Sequence, residues 1–179
     1  MTGAVCLMAA VSTAAAQDGY IKARGKPGAA GVFVDGKFVG PSERFTVPEK
    51  YAVSPGEHEI VLKDPRYEDF TTKVTVRAKK TTKISFHMKK APVPQPPFAR
   101  LRFGGGEKES FISVAQGDTS PVFINGKFYG YLDELNNIGG GLLLPPGKYE
   151  VKCTSPIFGD ISQMVSLEAN KVVVIPLKK

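Results

Sequence analysis

The chain has 179 residues, a formal charge of +7 and two cysteines. That length allows one large domain or two small ones, and the cysteine count excludes a disulfide-dense scaffold. With 14 Pro and 19 Gly, the composition favours many turns over long helices.

Residues 3–16, GAVCLMAAVSTAAA, carry no charge, and Ala14-Ala15-Ala16 fits a small-x-small cleavage pattern ahead of Gln17 and Asp18. Residues 1–16 read as a secretory signal peptide, although no Lys or Arg precedes the apolar run. The other reading is an Ala-rich leader without export. Export places the protein in the periplasm or at the cell surface. The run is shorter than the about 20 apolar residues of a membrane-crossing helix, and no second run of that length follows. Cys6 follows Gly3-Ala4-Val5, without the Leu expected before a lipid-carrying cysteine. Once the leader is removed, Cys153 is the only cysteine, so the fold depends on apolar cores. Cys153 lies in the strand-like YEVKCTS and reads as a small core residue.

The first element of the mature chain with a clear signature is VFVDGKFVG, residues 32–40. Its side chains alternate, turn at Asp35-Gly36 and return. Asp-Gly is a strong type I′ signal, because both central residues need positive φ. A second turn, Pro55-Gly56, precedes a strand with His58, Ile60 and Leu62 on one face. The expected last hairpin runs Lys73–Arg77, turns, and returns from Lys83 to Lys89. Val74, Val76, Ile84, Phe86 and Met88 point inward.

APVPQPP, residues 91–97, holds four prolines and reads as an extended, semi-rigid linker. Beyond it the pattern repeats. VFINGKFYG at 122–130 shares six of nine positions with the first nonapeptide. Asn125-Gly126 replaces Asp35-Gly36, Pro146-Gly147 replaces Pro55-Gly56, and Tyr149 stands where His58 does. The offset is 90 residues at the hairpin and 91 afterwards, as after one loop insertion. The expected organisation is all-β: two tandem small β-sandwiches of six to seven short antiparallel strands each, over residues 19–90 and 98–179. Each half is near the lower size limit for a self-sufficient core, so the halves are candidates for packing together.

PGAAGVFVDGKFVG, residues 27–40, resembles the PEGA domain family. Pro27, Ala30, Val32, Val34, Asp35, Gly36 and Gly40 fall where that family's pattern expects them, and Pro55-Gly56-Glu57-His58 resembles its later turn and strand. Ala29 and Pro41-Ser42 depart from it. The second half resembles a diverged copy, with GDTS at 117–120 in place of the opening motif and an insertion, GGGEKESFISVAQ, after FARLRF. The resemblance implies a β-sandwich of bacterial exported or surface proteins, a non-catalytic binding or spacer role, and no cofactor.

The residues themselves offer no enzyme. His58 and His87 are the only histidines, both in strand patterns and without ligand-spaced partners for a metal. No nucleophile stands in a recognisable motif. Gly104–Gly106 and Gly139–Gly141 lack the Lys and Ser or Thr of a phosphate loop. Asp133 and Glu134 are adjacent and read as a solvated pair.

Charge is uneven. Residues 17–90 hold 15 Lys and Arg against 9 Asp and Glu, a balance of +6. The expected concentration is a basic face on the last hairpin, formed by Lys73, Arg77, Lys83, His87 and Lys89. Lys on exposed strands also guards sheet edges. Beside a hydrolase built on a carboxylate pair, for which no motif stands out, two functions stay open at this point. One is an exported binding module holding an anionic envelope polymer, with nucleic acid disfavoured by compartment. The other is a structural spacer or accessory subunit that binds a partner protein.

Overall fold

The computed structural model describes residues 17–44, 47–104, 117–137 and 141–177. Residues 1–16, which the sequence reading assigns to a signal peptide, most of the glycine-rich segment (105–116) and residues 138–140 lie outside that description. In the first half the strands are β1 (Gly19–Lys26), β2 (Gly31–Val34), β3 (Lys37–Pro41), β4 (Glu43–Arg44), β5 (Val47–Pro48), β6 (Tyr51–Val53), β7 (Gly56–Lys63), β8 (Phe70–Val76) and β9 (Thr81–His87). The second half contains β10 (Ala99–Gly104), β11 (Pro121–Ile124), β12 (Lys127–Tyr131), a short helix α1 (Leu132–Asn137), β13 (Leu142–Leu144), β14 (Gly147–Ser155), β15 (Gly159–Leu167) and β16 (Val172–Pro176).

Each half builds the same two sheets. One is four-stranded, β3-β2-β7-β8 in the first half and β12-β11-β14-β15 in the second. The other is three-stranded, β6-β1-β9 and β13-β10-β16. The small β4–β5 arm of the first half stands where α1 stands in the second. Seven strands per half therefore form the sandwich, and alternation sorts their side chains. Ile21, Ala23, Val32, Ile60, Leu62, Ile84 and Phe86 close one core. Leu101, Phe103, Val122, Ile124, Val151, Val165 and Ile175 close the other. Cys153 is buried in the second core, where desolvation pushes its thiol up to about 12.

The turns explain the repeated nonapeptide locally. Asp35 and Gly36 have φ of 49° and 79°, and Asn125 and Gly126 have 49° and 74°, the geometry of a type I′ turn. Asp35 and Asn125 also act as braces. Glu59 N–H donates to Asp35 Oδ1 at 2.9 Å, and Glu150 N–H donates to Asn125 Oδ1 at 2.8 Å. Each turn is thereby tied to the neighbouring long strand.

Two expectations need correction. The sheets are not wholly antiparallel, because β1 pairs with β9, and β10 with β16, in parallel. The first strand of each half enters the middle of the three-stranded sheet, and the last strand reaches it after the chain has crossed from the other sheet. A parallel pair needs such a crossover. For the same reason β8 and β9 do not form a hairpin. β8 is an edge of the four-stranded sheet and β9 an edge of the three-stranded one.

The halves meet through the outer faces of their four-stranded sheets. Phe33 points away from its neighbours Val32 and Val34, which belong to the first core. Phe123 likewise points away from Val122 and Ile124. Phe33, Phe128 and Tyr131 are buried together, with Phe38, Val61 and Phe123 packed against them. The contacts join equivalent positions of the two copies: Phe33 to Phe123 at 6.3 Å and Phe38 to Phe128 at 6.2 Å between ring centroids. Tyr131 Oη donates to the Ala29 carbonyl across the contact at 3.1 Å. Gly31 gives the ring room, since a Cβ there would lie 2.9 Å from Phe128 Cζ. The three-stranded sheets consequently lie on the far side of each half.

Candidate functional site: a basic sheet face

The strand β1, GYIKARGK, alternates strictly at its start. Ile21 and Ala23 are buried, which turns Tyr20, Lys22, Arg24 and Lys26 to the outside of the three-stranded sheet. On β9 the buried Ile84 and Phe86 likewise turn Lys83, Ser85 and His87 outward. The parallel register sets Lys22 beside Lys83, Arg24 beside Ser85 and Lys26 beside His87. Adjacent strands are about 4.8 Å apart, and like charges directly opposite each other are destabilising. No Asp or Glu occurs in β1, β6 or β9. Among the described residues none of Lys22, Arg24, Lys26 and Lys83 has a carboxylate within ion-pairing distance. Lys50 lies over the Tyr20 ring, 3.7 Å from its centroid, at the other end of the face.

Where β1 and β9 end, the face deepens into a groove of about 510 Å³ lined by Lys26, Tyr67, His87, Met88, Lys89 and Lys90. Lys89 reaches Glu68 at 3.2 Å. Neighbouring cations outside the groove are already engaged: Arg66 with Asp64 at 2.9 Å and Lys63 with Asp69 at 3.1 Å.

The structure divides the basic face expected from sequence. Lys83, His87 and Lys89 lie together at the three-stranded sheet. Lys73 lies on the other sheet, directly across from Glu59, and Arg77 follows the end of β8 there. Glu57, Glu59 and Lys63 of β7 and Lys73 of β8 leave that surface mixed in sign. The sequence reading missed Lys22, Arg24 and Lys26. Their signal was present in the alternation of β1, but only the parallel pairing brings them beside β9.

His58 is part of the frame. Its Nδ1 lies 2.7 Å from Asp35 Oδ2 and its Nε2 lies 2.8 Å from the Ser54 carbonyl. The Asp35 hydrogen bond raises the imidazole pKa, and the same bond lowers that of Asp35. Tyr149, in the equivalent place, donates to the Pro145 carbonyl at 2.8 Å. Asp133 and Glu134 occupy the first turn of α1 rather than a loop; Glu134 is exposed and Asp133 partly so, and partial desolvation raises both carboxyl groups. Among the described residues no group of three or more His, Cys, Asp and Glu could hold a metal ion. No helix there is long and apolar enough to cross a membrane.

The fold thus defines a small, all-β, two-sheet module with a cationic outer face. Residues 19–92 match the PEGA domain family. No curated protein matches the chain. Among solved structures it is similar to the Bacillus anthracis TIE protein at 15% identity and a TM-score of 0.33, over 90% of this chain and 34% of that one. The chain therefore spans about a third of that protein's length.

Proposed function

We propose that the protein is a non-enzymatic, exported binding module of the bacterial cell envelope. The outer face of its first three-stranded sheet holds an anionic envelope polymer. The second half is read as a diverged copy of the first, since it repeats the strand order of both sheets. The PEGA family is non-catalytic, in keeping with a binding role.

One observation carries the reading. Lys22 and Lys83 are set side by side, with Arg24 and Lys26 next along the strand and no acid in the sheet. Such a row raises the energy of the free protein, and a polyanion laid along it removes that cost. The rows repeat every second residue, about 6.6 Å along a strand, which suits a polymer with repeated charge better than a single small anion. Phosphate-linked or uronate-bearing envelope polymers have that chemistry.

The test is co-sedimentation of residues 17–179 with isolated envelope fractions at low and high salt. Lys22→Glu with Lys83→Glu is expected to weaken binding about tenfold or more at low salt, and high salt is expected to do the same to the wild type. Lys73→Glu with Arg77→Glu is expected to change it less than about threefold, because these residues lie off the face. Equal losses from both pairs would show attraction by net charge alone. No binding by the wild type would favour the spacer or accessory-subunit reading.

A further inference from the structure

The same face of the second half carries different chemistry on the same frame. There β10 sets Arg100 between Leu143 and Val172, and Arg102 beside Val174. Leu143, Val172 and Val174 are 49%, 54% and 42% exposed. No Asp or Glu occurs in β10, β13 or β16. At the start of the sheet lies a groove of about 580 Å³ whose lining includes Phe98, Arg100, Leu143, Lys171 and Val172. The surface is therefore apolar, concave at one end and cationic.

Among the described residues its edge is also open, since β16 has a single neighbour there, β10. Arg100 N–H donates to the Lys171 carbonyl at 2.9 Å, and Leu177 N–H donates to the Gly104 carbonyl at 3.1 Å. In a parallel ladder this turns 171, 173, 175 and 177 toward β10, and leaves the N–H groups of Val172 and Val174 on the outer edge. The equivalent edge, β9, is guarded by Lys83 and His87 and by Lys79 and Lys80 in the preceding turn. β16, Val-Val-Val-Ile-Pro, has no charged residue. Pro176 blocks only its far end, and the apolar edge at Val172 and Val174 remains a template for another strand.

We propose that this edge and face form a docking site for an extended, acidic segment of a partner protein, which adds to the sheet beside β16 as a fourth strand. Backbone pairing with Val172 and Val174 supplies affinity, apolar side chains of the segment cover Val172, Val174 and Leu143, and its carboxylates meet Arg100 and Arg102. A lipid surface fits less well. It offers no partners for the edge N–H groups, which are costly to bury unpaired. The proposal stands apart from the polymer reading, which concerns the other half.

The test uses the full chain and a labelled heptapeptide of alternating Val and Glu, followed by fluorescence anisotropy. A peptide with Lys in place of Glu is the control. Val174→Pro removes an edge N–H that β10 does not use, and Val174→Lys guards the edge while leaving every backbone group in place. Saturable binding of the acidic peptide is expected, with a loss of about tenfold or more for the Lys peptide and for each folded variant. Absence of saturable binding, equal binding of both peptides, or full binding by Val174→Lys would overturn the proposal. So would indifference to the peptide combined with sedimentation on phosphatidylglycerol vesicles that Val174→Lys abolishes, which would identify a lipid surface instead.

Discussion

Replacing Phe128 with Ala tests whether the two halves behave as one body. The ring is 3% exposed and lies within 5.4 to 6.2 Å of Tyr131, Phe33, Phe123 and Phe38, centroid to centroid. Truncating a buried Phe costs about 3–5 kcal/mol. This ring sits between two sandwiches rather than inside one, so the gap can close by a small shift of one half. The expected cost is therefore near the lower bound, about 3 kcal/mol. Of this, the two ring pairs across the contact, to Phe33 and Phe38, supply about 1–3 kcal/mol. Urea unfolding followed by intrinsic Tyr fluorescence would read it. The wild type is expected to unfold in one transition, and Phe128→Ala in two, with the first half no longer supported by the second. A cycle with Phe33→Ala should give a coupling of about 0.5 kcal/mol or more. A total cost below about 1 kcal/mol, or zero coupling to Phe33, would refute a cooperative contact.

Two further outcomes follow from the turn and its brace. Gly36→Val should destabilise the first half by about 1–2 kcal/mol, because a β-branched residue resists the φ of 79° there; an unchanged thermal midpoint would count against the type I′ turn. The Asp35–His58 pair predicts a pH window. His58 is raised above 6.5, so its contribution is complete below 6.5 and is lost as pH rises through the raised value. Asp35 is lowered below 3.8, so its contribution is present above 3.8 and is lost as pH falls through the lowered value. The midpoint difference between wild type and Asp35→Asn should accordingly peak between these limits and shrink toward alkaline pH. It should be small, since Asp35 is half-exposed, and a difference that grows above pH 8 would contradict the assignment.

What could be read from the sequence was local. Asp35-Gly36 and Asn125-Gly126 specify their hairpins within a few residues, and alternation on β7 and β14 identifies their core faces without reference to any partner. The duplication was visible because those local signals recur at a nearly constant offset. The parallel partner of Lys22 lies 61 residues away at Lys83, and no turn between them announces it. The KVTVR and KISFHMK segments looked like a hairpin because a short turn joins them. The chain instead passes there from one sheet to the other, and that separates Lys73 from Lys83. Phe33 and Phe38 pair across the hairpin at 5.4 Å, a contact local to the nonapeptide. Their second role needed the position of the other half. α1 was missed because Leu132–Asn137 is too short for a helical period to show.

The matching of Phe33 with Phe123 and Phe38 with Phe128 is what two identical subunits related by a twofold axis would display. Fusing the copies changes what that arrangement can do. Joined by residues 91–97, the halves face each other at an effective concentration on the order of millimolar, so pairing does not depend on how much protein is present. A true homodimer would also have to carry the same surface at both poles. One chain does not: Lys22 and Lys83 lie at one pole, and Val172 and Val174 at the other.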